Sequence, residues 1–396
     1  MISFAEAINQ ITKEGKSFGI ESISLSESYG RILAEEVKAD RDYPPFHRSA
    51  MDGFAISSND FIAHTQFPWE RELHAGSTLT KQKEEQVIRI MTGAPVPEGF
   101  DAVIKVEDSL LSETDGKKMV LFSLESVSSW QNIAKQGEDA KKDDLLLPIG
   151  TSLRLSEISL LASLGKTNVF VFPAPKVNIL STGNEVVPIG VTPLPHQIRD
   201  SNSFTISTFL RKYQIKPNHI SHVRDEENQM REEIKQGLCG DILILSGGVS
   251  MGEKDLVPSI LKELGVETIF HKTAIKPGKP IWFGKKNNTF VFGLPGNPFS
   301  VQTCLRIFLD PFLRVCFSMP KETYLKFPLS QLKKKKHSLT EFFPVRYHTK
   351  EKTMLEPISF NGSGDIKAGI FSDGIALFPS EKKQIDVEEG IEFLPW

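Results

Sequence analysis

From Val177 onward, short apolar runs alternate with helical patterns, and this rhythm limits the fold more than any other feature of the chain. The strand-like runs are Val177 to Leu180, His219 to Val223, Ile242 to Leu245 and Phe290 to Phe292. Helical spacing follows them near 203–213, 227–237, 256–264 and 299–315. Strands separated by helices build a parallel sheet covered on both faces. Parallel strands all end on one side, and ligands bind beyond those ends, near the point where strand order reverses.

The strand exits are therefore the informative places. The first exit reads Ser181, Thr182, Gly183, Asn184, Glu185. A second reads Ser246, Gly247, Gly248, Val249, Ser250 and runs on to Asp255. A third places Pro295, Gly296, Asn297 and Pro298 ahead of a long helix, with Ser300 just inside it. Loops with few side chains let backbone N–H groups approach an anion, and helix N-termini add a favourable field. One glycine turn between a strand and a helix is ordinarily only a turn. Three at the exits of one sheet point to an anion-binding cleft.

Acids stand beside these loops: Glu185, Asp225 and Asp255. Asp225 and Asp255 read equally well as helix N-caps, and the two roles can coexist. A carboxylate trio at the mouth of a phosphate site suits Mg²⁺, which completes its shell with water and ligand oxygens. Zinc is not indicated, because the histidines are scattered and no thiols pair with them. Lys276 and Lys279 flank a Pro-Gly turn in "AIKPGKPIWFG". On the residues alone this reads more readily as an exposed hairpin turn than as a clamp for an oxyanion.

A chain of 396 residues divides into two to four domains. Ser3 with Glu6 forms a capping box ahead of Phe4, Ile8 and Ile11, so a helix opens the chain. Up to about residue 170, short apolar runs broken by Pro and Gly read as one or two β-rich lobes, with Asp52 and Thr92 in turns. The prolines of "VFPAPK" (171–176) mark a boundary. The expected division is an N-terminal region of two lobes over 1–172, with an inserted β-rich lobe at about 45–145. A central α/β domain over 173–319 and a small all-β domain over 320–396 follow it. Lys333 to Lys336 with His337 read as a solvated linker. A net charge of −3 argues against nucleic-acid binding. The three cysteines form no C-x-x-C motif, which suits a reducing compartment. No signal peptide is legible, and no apolar run approaches the roughly 20 residues that span a membrane. A cytosolic protein is expected.

The stretches "PPFHRSAMDGFA", "RIMTGAPVPEGFDAVI", "NIAKQGED", "LSTGNE", "IRDSNS", "LSGGVSMGEKD", "IKPGKP" and "GLPGNPFS" occur in this order. In that succession the chain resembles the molybdopterin molybdenumtransferases, the molybdate-inserting enzymes of molybdenum cofactor biosynthesis, whose eukaryotic relatives include the C-terminal part of gephyrin. The likeness runs from the first helix to the tail. The central part also resembles the stand-alone molybdopterin adenylyltransferases, which lack the N-terminal lobes and the C-terminal barrel. The resemblance implies a multidomain α/β protein: a central doubly wound parallel sheet, β-rich N-terminal lobes and a small C-terminal β-barrel. It implies insertion of molybdate into adenylylated molybdopterin, with Mg²⁺-dependent hydrolysis of the adenylate and release of AMP. It further implies a homodimer, and transient contact with a molybdopterin adenylyltransferase and with apo-molybdoenzymes.

Residue by residue, the resemblance makes Glu185, Asp225 and Asp255 the magnesium and hydrolysis carboxylates. Asp52 and Thr92 would complete the site across the dimer interface. The loops Ser181 to Gly183 and Ser246 to Ser250 would hold the pterin phosphate and the adenylate, with Pro295 to Pro298 and Ser300 shaping the pocket. Lys276, Lys279 and Ser363 would hold molybdate. The sequence departs from the family at Ala134, where many relatives carry Arg and Lys135 is the substitute. It departs also in the tail, where Arg346 is the candidate for a barrel arginine. Rival readings are an adenylyltransferase or nucleotide pyrophosphatase on the same central fold, and a non-catalytic carrier or scaffold.

Overall fold

The computed structural model describes residues 1–78, 85–249, 256–349 and 351–396, so Ser250 and Asp255 lie outside the described residues. The chain forms two compact units, one of Met1–Glu35 with Ile149–Trp396 and the other of Glu36–Pro148.

In the second unit, Gly53–Ile56 lies between Val87–Ile90 and Ala102–Lys105, and Glu72–Leu73 extends the sheet beyond Val87–Ile90. Successive residues of a strand face opposite ways. Phe54 and Ile56 accordingly enter one core with Trp69 and Phe122, while Ala55 enters another with Ile88, Ile90 and Val103.

The first unit opens with the helix Phe4–Glu14. Ser3 and Glu6 cap it reciprocally, as their spacing requires. The central sheet follows, in the spatial order His219–Val223, Val177–Thr182, Ile242–Ser246, Thr289–Leu294, Trp282–Lys286, Glu267–His271. Its first four strands are parallel. Alternation assigns their side chains to two faces. Val177, Ile179, Ile244 and Phe292 pack with Ile206, Leu210, Phe299 and Phe312 on one face. Leu180, Leu243, Leu245 and Val291 pack with Met230, Ile234, Ile260 and Leu261 on the other. Helices thus cover both faces of the parallel part.

The sheet as a whole is mixed, not parallel throughout. Trp282–Lys286 runs antiparallel to Thr289–Leu294 and to Glu267–His271. The physical reason is the two-residue connection Asn287–Asn288, with Asn287 at φ 53. A link this short joins only antiparallel neighbours, and Asn tolerates the left-handed backbone such a turn needs.

After the long helical stretch from Pro298 to Cys316, the tail builds a second sheet. Its path is Ile275–Lys276, Thr340–Thr349, Gly374–Phe378, Gly390–Pro395, Leu325–Pro328, with Thr353–Pro357 paired to Thr340–Thr349. A bridge between Leu329 and Leu355 brings the far edge back toward Thr353–Pro357. The basic run is not a solvated linker. Lys333–Lys334 pairs with Gln384–Ile385, and Lys335 is only 7% exposed, its ammonium donating to the carbonyls of Leu339, Phe378 and Pro379.

A buried charge network ties these parts together. Asp310 is fully buried and accepts from Lys212 at 2.7 Å, the Tyr213 hydroxyl at 2.8 Å and Arg306 at 3.3 Å. Arg306 also donates to Glu322 and to the Pro395 carbonyl. Burial, then the Asp310 charge, pushes the Tyr213 hydroxyl up, so it stays a donor. Removing one partner of a buried charged set strands the others away from water. Asp310→Ala is therefore expected to lower the unfolding free energy by about 3 kcal/mol or more, read from urea unfolding of the full chain.

Candidate functional site

The central sheet supplies its own switch point. From the 177–182 strand the chain goes first to 219–223 on one side, then to 242–246 on the other. At this reversal, beyond the carboxyl ends, lies a cavity of about 770 Å³. Ser181, Thr182, Gly183, Glu185, Asp225, Ser246, Gly247, Gly248, Gly296, Asn297 and Pro298 line it together with Asp200 and Asn202. Three strand exits thus meet in one volume.

The walls are cross-braced. Ser181 donates to Asp200 at 2.8 Å, and Asp200 also accepts from the backbone and hydroxyl of Ser203, which fixes the start of the 202–211 helix. Asn202 donates to the Ser246 hydroxyl at 3.0 Å and to the Gly296 carbonyl at 2.7 Å, joining two of the loops. Asp200 and Asn202 had no role in the sequence reading. Their "DSN" spelling resembles a helix cap, and nothing local shows that they reach across to a glycine loop. Asp225 does not cap its helix. Its carboxylate accepts from the Asn184 backbone, and its own N–H donates to the Asn184 side chain. That exchange turns Asp225 toward the first loop, where Glu185 also lies.

The glycine requirement is steric. Gly248 sits at φ +64, and a Cβ there would lie 2.8 Å from the Thr182 hydroxyl oxygen and 2.9 Å from Val257. Among the described residues, neither the Thr182 hydroxyl nor the Asn202 side-chain oxygen, both buried, has a hydrogen-bond partner. Buried polar groups without partners are uncommon and mark places where a ligand or water supplies one. In the same loop the Val249 side chain, 2% exposed, turns into the hydrophobic core beside Gly293, and its carbonyl meets the His271 ring at 3.0 Å.

A second cavity of about 440 Å³ adjoins the first, and Asn297 lines both. Lys276, Lys279, Pro295, Ser300 and Ser363 lie in its wall, with Glu341 and Leu339 from the C-terminal sheet. The two-lysine turn is therefore not a free hairpin. Gly278 between the lysines, at φ +99, packs on Cys304, whose sulfur would lie 2.6 Å from a Cβ there. Burial pushes the Cys304 thiol up and the Cys316 thiol to about 12, so both are packing groups rather than nucleophiles. Ser363 receives a hydrogen bond from Asn297 at 2.9 Å, and its carbonyl accepts from the Phe299 backbone. Arg346, the candidate barrel arginine, is not among the lining residues; it is paired with Glu356 at 2.7 Å on the exposed strand pair.

Asp52 and Thr92 belong to the other unit. There one Asp52 oxygen accepts from both the backbone and the hydroxyl of Thr92, each at 2.7 Å, which holds its carboxyl below the usual range. Ala134 pairs across a short ladder with Arg48, and the Lys135 ammonium lies 4.8 Å over the Trp130 ring.

With this geometry established, known proteins can be compared. Residues 2–165 match the family described as "MoeA N-terminal region (domain I and II)", and residues 178–315 match "Probable molybdopterin binding domain". A molybdopterin molybdenumtransferase of Synechocystis is 32% identical over 100% of both chains. The chain belongs to the molybdopterin molybdenumtransferase family. The relative from Haemophilus influenzae is 33% identical over 95% of this chain and 94% of its own. Among solved structures, the molybdopterin biosynthesis moeA protein of Pyrococcus horikoshii OT3 is similar over 100% of both chains, with a TM-score of 0.84 and 26% identity. Among the described residues no helix is long and apolar enough to cross a membrane.

As a donor set, Glu185 and Asp225 offer hard carboxylate oxygens from two different loops to one cavity. That fits Mg²⁺, which binds through one or two carboxylates plus phosphate and water oxygens. Among the described residues no group of three acids, histidines or cysteines is close enough to hold a metal alone. Gly248→Ala is expected to cost about 1–2 kcal/mol through its left-handed backbone and the Thr182 contact. It should also abolish AMP binding, measured by calorimetry on protein whose circular dichroism is native.

Proposed function

We propose that this transferase inserts molybdate into adenylylated molybdopterin, hydrolysing the adenylate and releasing AMP. The observation that carries the reading is the pair of adjoining cavities that share Asn297, one walled by glycine loops and carboxylates, the other by two lysines. Molybdate and a phosphoanhydride repel each other. A site that brings them together has to supply fixed positive charge and oriented N–H dipoles where water is scarce.

The roles follow from chemistry. The Ser181 to Gly183 and Ser246 to Gly248 loops, with Ser250, present hydroxyls and backbone amides to the phosphate and the adenylate. Pro295 and Pro298 stiffen the segment between them, and Ser300 and Ser363 donate hydroxyls beside the oxyanion. Lys276 and Lys279 offset its charge. Glu185 and Asp225, with Asp255, would hold Mg²⁺, which when bound neutralises phosphate charge and favours attack at phosphorus. A carboxylate of this set takes a proton from the attacking water as its oxygen bonds to the adenylyl phosphorus, and the molybdopterin phosphate leaves from that phosphorus.

The remaining features belong to the same reading. The protein acts in the cytosol as a homodimer, and Asp52 with Thr92 serves the site of the neighbouring subunit. The C-terminal sheet is a small barrel that delivers Ser363. An adenylyltransferase supplies the substrate, and apo-molybdoenzymes receive the product.

The test gives purified full chain adenylylated molybdopterin, Mg²⁺ and molybdate. AMP is expected in step with molybdate uptake. Asp225→Asn should slow AMP release about 100-fold, and Lys276→Ala with Lys279→Ala should remove its molybdate dependence. Consumption of ATP with no molybdate requirement would favour an adenylyltransferase. An Asp225→Asn variant as fast as the wild type would favour a carrier.

A further inference from the structure

Two members of the basic run, Lys333 and His337, lie beside Glu341, a carboxylate in the wall of the lysine cavity, where an anion site should avoid one. Glu341 is 8% exposed and lines the cavity with Lys276 and Lys279. Lys333 lies 3.3 Å from one of its oxygens and the His337 ring 3.1 Å from the other. Among the described residues, neither buried ring nitrogen of His337 meets a neighbour in an aligned hydrogen bond. A buried carboxylate facing an incoming anion is repulsive, and an imidazole 3.1 Å from that carboxylate without an aligned hydrogen bond gains most from the contact when it is protonated. Together they suggest a pair that is incomplete until a proton joins it.

We propose that His337 and Glu341 are a further charge element of the oxyanion cavity, and that the cavity takes up one proton on this pair with each anion it binds. The inference rests on the reading of the two-lysine cavity as an oxyanion site. The charged groups that bear on His337 are Glu341 on the following strand, Lys276 from the two-lysine turn and Lys335 from its own run, beside the Leu339 backbone. In the empty cavity burial, then the two lysines, hold the imidazole below its ordinary 6.5, while Glu341 pulls it up. An oxyanion between Lys276 and Lys279 cancels much of the lysine field and adds negative charge of its own. Both changes favour imidazolium.

The sign is set by this difference. His337 titrates higher with anion bound than without it. Affinity therefore rises as the pH falls through the bound-state value and levels off below the free-state value, by at most about tenfold per pH unit for one proton. A fixed guanidinium in the same place would hold the anion equally at every pH. With a histidine, the extra positive charge is present while the anion is bound and is withdrawn when it leaves.

The experiment is calorimetric titration of the full chain with molybdate, from about pH 6 to about pH 8, where histidine titrates. Each pH is run in two buffers of different ionisation enthalpy, so that proton uptake is read directly. The wild type is expected to approach one proton per anion between the free-state and bound-state values, and to take up less on either side. His337→Gln should take up none, and its affinity should be flat across the range. Glu341→Gln should bind more tightly at the alkaline end, because it removes the opposing charge. Binding without proton uptake by the wild type, or uptake that persists in His337→Gln, overturns this inference alone. Failure of the wild type to bind molybdate at all overturns it together with the oxyanion reading.

Discussion

Parallel strands must end on the same side of their sheet, and the site depends on that geometric constraint. It gathers segments far apart in sequence, at 181–185, 246–248 and 296–298, into one volume. Each segment arrives as a loop because a strand must turn there into a helix or a crossing connection. Small residues let the loops stand close without filling the space between them. The switch in strand order opens the gap, since the connections from the 177–182 strand depart to opposite sides. Nothing in this arrangement needs a specialised fold; it needs only loops that give up side chains and keep their amides.

What the fold adds is a second cavity on the far side of the 295–298 segment. Gly296 and Pro298 face the first volume, Pro295 and the nearby Ser300 face the second, and Asn297 belongs to both. The segment borders both cavities. Its position is fixed from two directions: Asn202 holds the Gly296 carbonyl, and Ser363 is tied to the Asn297 side chain and the Phe299 backbone. The C-terminal sheet is thereby part of the site and not an appendage. The buried Arg306–Asp310 network, with Lys212, Tyr213 and Glu322, anchors the helix that follows this segment.

Much of this was legible in the residues. The apolar runs at 177, 219, 242 and 290 and the capping box at Ser3 are local signals, and local signals survive folding. Three things escaped. The antiparallel hairpin at 282–294 was hidden because Asn287–Asn288 looks like any polar turn until its length is weighed. Asp200 and Asn202 look like cap residues, and their reach to Ser181, Ser246 and Gly296 is a tertiary fact. The lysines 333–336 read as solvated because charge alone predicts exposure, whereas Lys335 is buried on three carbonyls and Lys333 is drawn to Glu341. Val249, in the same loop as the glycines, turns its side chain to the core.

On the proposed reading, two adjoining cavities receive one anion each, on either side of Asn297. The most direct measurement is a crystal of the full chain grown with AMP and molybdate, with molybdenum located by its anomalous scattering. The AMP phosphate is expected within hydrogen-bonding reach of the 181–183 and 246–248 backbone, and molybdenum between Lys276, Lys279 and Ser363. Molybdenum bound away from that pair of lysines, or AMP seated outside the glycine loops, would contradict the account.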